Sequence, residues 1–362
     1  MNKEPWFKRC GDKVITLNKS VFHKEALLFD SLDNSKVQCK TCWHQCNIPK
    51  GKLGRCHTRM NVDGGLYCLN YGLISSFSVN PIEKKPLFHY FPGTYASTVG
   101  SYSCNFSCPW CQNWSISKVY PSEVHVPRYL SPEDLVDRTE SDPKIDGISI
   151  SFNEPTLSLE YALDVFRLCK SETYRMFVTN GYMTPYALKL LIQSGMTGMS
   201  VTVKGNAKVA KKYCGINVEK VWENIKMAID QGVHVEVICL IIPTVNDSVA
   251  FFTEVGERIN DIDPEIPLHF TRFHPDYQFT EVDPTSVTIL EEAHNIARSI
   301  GLKYVYLGNV FTHPLENTYC PNCQVLLIKR TGYQIEKKFD LKTNRCPSCA
   351  LKIPIYKPIQ NP

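Results

Sequence analysis

The sequence predicts an α/β protein whose centre is a parallel sheet, either closed into a barrel of eight units or partly open with fewer, and three observations carry that reading. Between about Ala96 and Gly308, short β-branched runs alternate with amphipathic stretches, the pattern of repeated β-loop-α units. Helix-start signals fall between the runs. Polar residues cluster just after the runs, where parallel α/β folds collect their functional groups.

The strands expected in order are Ser97 to Gly100, Gly147 to Phe152, Arg175 to Thr179, Gly198 to Val203, His234 to Ile242, Leu268 to Phe273 and Tyr304 to Leu307. Ser131-Pro132-Glu133-Asp134 predicts a helix start, with a capping serine, a proline at the first helical position and acids facing the helix dipole. Val218, Val221, Trp222, Ile225 and Ile229 fall on one face at 3.6-residue spacing, so this helix covers the sheet and its tryptophan is packing. Residues 1–95 and 315–362 lack the alternation and carry their own cysteines. They read as a cysteine-rich N-terminal cap and a small zinc-ribbon-like C-terminal module around a core domain spanning residues 96–314.

A chain of 362 residues with 43% hydrophobic and 21% charged residues has room for one large domain and small appendages. A net charge of only +4 gives no global footprint for nucleic acid or membrane. The first twenty residues show no apolar signal core, and no run approaches the roughly 18 apolar residues of a membrane span. A cytoplasmic location is expected.

Sixteen cysteines in short-spaced groups, without a secretory signal, favour metal binding over disulfides. Cys320, Cys323, Cys346 and Cys349 form two CxxC knuckles around an expected hairpin with a Thr331-Gly332 turn, the arrangement of a zinc ribbon. Such a metal would fold a segment too short to bury enough surface unaided. Cys39, Cys42, Cys46 and Cys56, with His44 and His57 alongside, fit either zinc or an auxiliary iron–sulfur cluster. Cys10, Cys68, Cys169, Cys214 and Cys239 are scattered, and buried inert thiols are the default for these.

The central group is different. Cys104, Cys108 and Cys111 give a CxxxCxxC spacing directly after the first expected strand. Three thiolates on one loop can hold three corners of a four-iron cluster and leave one iron open, whereas electron-transfer clusters take four cysteines. A zinc loop with a distant fourth ligand is the alternative.

With Trp110 before the third cysteine, this motif resembles the signature of radical S-adenosylmethionine (SAM) enzymes. More narrowly, the chain resembles the radical SAM enzymes of the AmmeMemoRadiSam system, related to pyruvate formate-lyase activating enzymes. The matching segments run from Cys39 to Cys56, Asn80 to Phe88, Cys104 to Trp114, Asn153 to Thr156, Val178 to Tyr182, His234 to Val237, Leu240 to Pro243, Asn246 to Ser248, Arg272 to Tyr277, Gly308 to Val310 and Glu316 to Cys323.

The resemblance implies a partial (β/α)6-type radical SAM barrel. It implies a [4Fe-4S] cluster on Cys104, Cys108 and Cys111 that binds SAM and yields a 5'-deoxyadenosyl radical, which abstracts hydrogen from a substrate that no motif here identifies. It assigns SAM's amino group to Asn153 and Glu154, the ribose side to Thr179 and Asn180, the adenine to Ile241 or Ile242 with Trp110 beside it, and the carboxylate or ribose to Lys204 and His274. It also implies an external electron donor such as flavodoxin or ferredoxin, and AMMECR1-like and Memo-like partner proteins. Where relatives commonly carry Asp-Leu-Lys, this chain has Thr202-Val203-Lys204, which loses a carboxylate. Cys214, before Gly215, is a candidate substrate-side thiol. A glycyl-radical activating enzyme and a non-catalytic multi-zinc module binding protein or nucleic acid are the alternative functions.

Overall fold

The computed structural model describes residues 22–310 and 312–356; Cys10 lies outside them. Its centre is an eight-stranded sheet of β1 (Ser76–Pro81), β2 (Tyr95–Gly100), β3 (Gly147–Ile150), β4 (Tyr174–Thr179), β5 (Gly198–Val203), β6 (His234–Ile241), β7 (Leu268–Arg272) and β8 (Val305–Gly308). Spatial order follows chain order from β1 to β8. Every pair from β2 to β8 is parallel, for example Met176↔Gly198 through Thr179↔Val201 between β4 and β5. The first and last strands do not pair, so the sheet is an open barrel.

Six helices make the parallel crossovers: α1 (Pro132–Glu140), α2 (Leu159–Leu168), α3 (Pro185–Gln193), α4 (Glu219–Asp230), α5 (Val249–Ile262) and α6 (Val287–Ile300). Their starts are written locally. Ser131 Oγ accepts from Asp134 N at 3.0 Å. Thr184, Ser248 and Ser286 cap α3, α5 and α6 in the same way. Each such cap is worth about 1 kcal/mol. On α4, Val221, Trp222, Ile225 and Ala228 are buried against the sheet, and Trp222 also lies under the Arg258 guanidinium at 5.6 Å.

All seven expected strands form, within two residues at their ends. The eighth does not follow from periodicity. β1 lies inside the segment assigned to the cap and pairs antiparallel with β2, Ser76↔Gly100 to Pro81↔Tyr95, so the main sheet begins at Ser76 rather than after residue 95. Its burial alternates between intermediate and exposed over most of its length, which leaves no apolar face to read.

The chain between β1 and β2 plugs the N-terminal ends of the strands. Leu87, Tyr90 and Phe91 pack on Ala96, Tyr174 and Met176. The Tyr90 ring occupies the space a side chain at Gly198 would need, 2.6 Å from an ideal Cβ. Below it, the buried Glu236 carboxylate accepts from Phe88 N, His89 N, His234 Nε2 and His269 Nε2 at 2.7–3.0 Å. The C-terminal module docks on this same end, where Arg330 donates to Phe88 O and stacks over the Phe88 ring.

That module is a three-stranded antiparallel sheet of Thr318–Tyr319, Leu326–Thr331 and Gln334–Lys337, with the hairpin turn at Gly332. The sulfurs of Cys320, Cys323, Cys346 and Cys349 lie within 4.8 Å of one another. The N-terminal segment adds two small antiparallel sheets, with Ala26, Val37, Cys39, Ile48 and Leu66 as a separate core. No helix among the described residues is long and apolar enough to cross a membrane.

Candidate active site

β2 ends at Gly100, and the next residues carry the cysteine triad. A loop that bends this tightly needs its backbone groups satisfied from elsewhere. Asn153, just past β3, does this. Its Oδ1 accepts from Ser101 N at 2.9 Å, and its Nδ2 donates to Tyr102 O at 3.1 Å and Ser103 O at 2.9 Å. Ser103, in the left-handed region at φ 72°, donates from Oγ to Cys56 O at 2.6 Å. Lys118 Nζ holds Phe106 O at 2.9 Å.

Glu154 is 2% exposed and organises the neighbouring strand ends. Its carboxylate accepts from Thr156 N, Thr156 Oγ1, Thr179 Oγ1 and Asn180 N at 2.5–3.0 Å. Burial raises its pKa from the ordinary carboxylate value, against the opposing pull of these donors. Asn180 Nδ2 in turn donates to Asn105 Oδ1 at 2.7 Å. The polar residues after β3 and β4 and the residue after Cys104 are thus one network.

These groups face an open cleft of about 1400 Å³, counted with its mouth. Cys104, Cys108, Cys111 and Trp110 line one wall; Asn153, Glu154, Thr179, Asn180, Thr202 and Lys204 line the strand ends; Leu240 adds an apolar surface. Trp110 is buried between the rings of Tyr213 and Phe279. The position is that of ligands in parallel α/β folds, at the C-terminal ends of the strands.

The donor set fits a cluster with one open corner. Three thiols line the cleft, and among the described residues no fourth cysteine does. Cys214 closes the last turn of a π-helical segment, Ala210–Cys214, and its sulfur lies 3.3 Å from that of Cys108. It is fully buried behind the loop and does not line the cleft, so it is no substrate-side thiol. The hydrogen bond with the Cys214 thiol favours the thiolate on Cys108, with Lys204 and Lys118 adding to the effect, while burial pushes Cys104 up.

Three residues expected at the site lie outside it. Ile241 and Ile242 are buried, but the strand ends at Ile241 and the chain closes a turn in which Ile242 N donates to Asn246 Oδ1 at 2.7 Å; the cleft-lining apolar residue is Leu240. His274 is exposed and does not line the cleft. Its loop folds over the cysteine loop instead, through Gln278 N to Pro109 O at 3.0 Å and the stack of Tyr277 on Trp114.

One residue in the cleft was not singled out from the sequence. Lys85 is 4% exposed, its Nζ lies 5.2 Å from the Phe152 ring centre, and it makes no ion pair among the described residues. Burial lowers its pKa to about 7. In sequence it is one of a Lys-Lys pair in a polar stretch; only the plug between β1 and β2 carries it inside.

The parallel sheet, the thiol triad at its mouth and the polar strand ends define a class, and the comparisons name it. The model of the radical SAM superfamily matches residues 98–250, so this stretch of the chain is a radical SAM domain. A protein of Methanocaldococcus jannaschii, "Uncharacterized protein MJ0808", is 41% identical over 335 residues, 92% of this chain and 99% of that protein. A second from the same organism, "Putative glycyl-radical enzyme activating enzyme MJ1227", is 21% identical over 240 residues, 63% of this chain and 93% of that protein. Among solved structures, a radical SAM methyltransferase from Sphaerobacter thermophilus is similar over 65% of this chain and 74% of its own, at 16% identity and TM-score 0.47. A radical SAM domain implies SAM-dependent radical chemistry with a four-iron cluster.

Proposed function

We propose that the chain is a radical SAM enzyme in which Cys104, Cys108 and Cys111 hold a [4Fe-4S] cluster and the adjoining cleft takes SAM and a second molecule. The observation that carries this is the meeting of three thiols and six polar strand-end side chains on one cleft, with no fourth thiol among the described residues lining it. When bound, the cluster and SAM supply reductive cleavage of a carbon–sulfur bond and a carbon radical that abstracts hydrogen.

The chain's own residues position and shield. Asn153 commits both Oδ1 and Nδ2, through three hydrogen bonds, to the cysteine loop, so its task is to hold the loop's shape. Glu154 locks Thr179 and Asn180 at the strand ends. Lys204, in the cleft, is the cation suited to a carboxylate. Trp110 and Leu240 supply apolar surface for a flat ring and exclude water. An external one-electron donor, such as a flavodoxin or ferredoxin, completes the reaction.

The ribbon cysteines hold a structural zinc in this reading. Their sulfurs pair at 3.5 Å for Cys320 with Cys349 and 3.5 Å for Cys323 with Cys346, the convergence a tetrahedral ion needs. A second reading, installation of a glycyl radical on a protein partner, rests on the similarity to the M. jannaschii activating-enzyme relative. Partners of the AMMECR1-like and Memo-like classes belong to the family resemblance.

The test is anaerobic: iron and sulfide content, and 5'-deoxyadenosine formed from SAM with dithionite. Turnover in the intact protein that vanishes in Cys104→Ala supports the proposal. A colourless protein that leaves SAM intact replaces it with a multi-zinc interaction module.

A further inference from the structure

The four N-terminal cysteines have no role in the cleft, yet they are built into its neighbour. Cys39 and Cys46 close one turn, with Cys39 N donating to Cys46 O at 3.0 Å, and Gln45 takes a left-handed φ of 42° to bring the chain back. Cys56 follows from a second turn, in which His57 at φ 56° donates to Gly54 O. The four side chains, with His44, Ile48, Arg55, Arg59 and Asn105, enclose a pocket of about 270 Å³ on the measure used for the cleft.

Zinc needs a tighter set. A tetrahedral shell with zinc–sulfur bonds of about 2.3 Å places its sulfurs about 3.8 Å apart. The ribbon cysteines converge in this way. Among the described residues they are the only group of three or more that does so within 4.8 Å. No three of the N-terminal thiols lie within 4.8 Å of one another, and neither do the three of the cleft triad, the wider spacing that a metal core larger than one ion takes.

The surroundings fit an anionic core with sulfur acceptors. Arg59 is 1% exposed beside the pocket, paired with Glu160 at 2.8 Å, and its charge acts on both Cys39 and Cys56. Asn105 is 2% exposed, lines the pocket and turns its side-chain amide to the Cys42 thiol. A buried amide N–H aimed at a cysteine sulfur is the donor that an anionic iron–sulfur core accepts from.

We propose that Cys39, Cys42, Cys46 and Cys56 bind a second iron–sulfur cluster, seated directly against the triad loop. The contact is short: Asn105 follows Cys104 in the chain, and Ser103 donates to Cys56 O at 2.6 Å. The site stands on its own thiols, whatever the triad carries.

The test is metal counting after anaerobic assembly with ferrous iron and sulfide. Cys104→Ala/Cys108→Ala/Cys111→Ala removes every triad thiol. The proposal expects about four irons and about one zinc per chain in this variant, with an electron paramagnetic resonance signal after dithionite. About two zincs and no iron overturns it. In the intact protein, about eight irons are expected, falling to about four in Cys42→Ala/Cys46→Ala. An intact protein with only about four irons also overturns it, a readout that holds if the triple variant does not fold. Failure of SAM cleavage leaves these counts unchanged and bears on the triad's function alone.

Discussion

Replacing Asn153 by alanine separates two roles that one residue can play at a radical SAM cleft. If Asn153 serves chiefly to bind SAM, the variant folds normally, loads iron and binds SAM weakly. The geometry says otherwise. Three bonds to Ser101 N, Tyr102 O and Ser103 O are lost at once at the start of the cysteine loop, two of them buried and one partly so. A made hydrogen bond is worth about 1 kcal/mol net, and an orphaned buried partner costs about 1–3 kcal/mol. Partial relaxation of the loop leaves about 3–5 kcal/mol of destabilisation, a large share of the roughly 5–15 kcal/mol of a typical domain. Urea unfolding of the anaerobically purified protein should show the midpoint fall by on the order of 1 M or more. Iron content should fall with it although every cysteine remains. An unchanged midpoint with full iron and weakened SAM binding would refute the positioning role.

Three further outcomes follow from other parts of the molecule. His89, buried and lowered to about 3, stays neutral in the fold, whereas the unfolded chain binds a proton below about 6.5, so stability is full above that pH and declines as pH falls towards 3. Glu236 adds loss in the same direction once pH drops through the carboxylate range, because its donors hold it low; acid unfolding curves of His89→Gln should be flatter between about pH 6.5 and 4. Cys346→Ala should release about one zinc and expose Leu327, Ile328, Phe339 and Ile353, read as dye binding and proteolysis confined to the C-terminal module, with the triad's iron retained. Lys85, labelled by reductive methylation with a 13C group, should titrate near 7 rather than near the ordinary lysine value of about 10.4, and an ordinary titration would place its amine in water.

The parts of the site that were legible in the sequence are those with local causes. A CxxxCxxC spacing after a β-branched run, a serine-proline helix start and paired CxxC knuckles each bind residues a few positions apart, and each was found where expected. The missing parts are long-range. The plug that brings Lys85 inside runs antiparallel to nothing its own sequence names, and the Asn105–Asn180 bond joins positions 75 residues apart. Ile242 and His274 sat at the right distance from their strands, but the turns that follow point the chain elsewhere, and strand alternation stops where the strand stops.

By itself the sequence determined the repeating β-loop-α core, the cysteine triad after its first parallel strand and the paired CxxC knuckles, because hydrophobic period and ligand spacing act over a few residues. Only the tertiary structure decided that β1 belongs to the main sheet, that Asn153 spends its amide on the cysteine loop, and that the N-terminal thiols border that same loop. Those outcomes depend on which distant backbone groups need partners once the core has closed, and no local pattern encodes that demand.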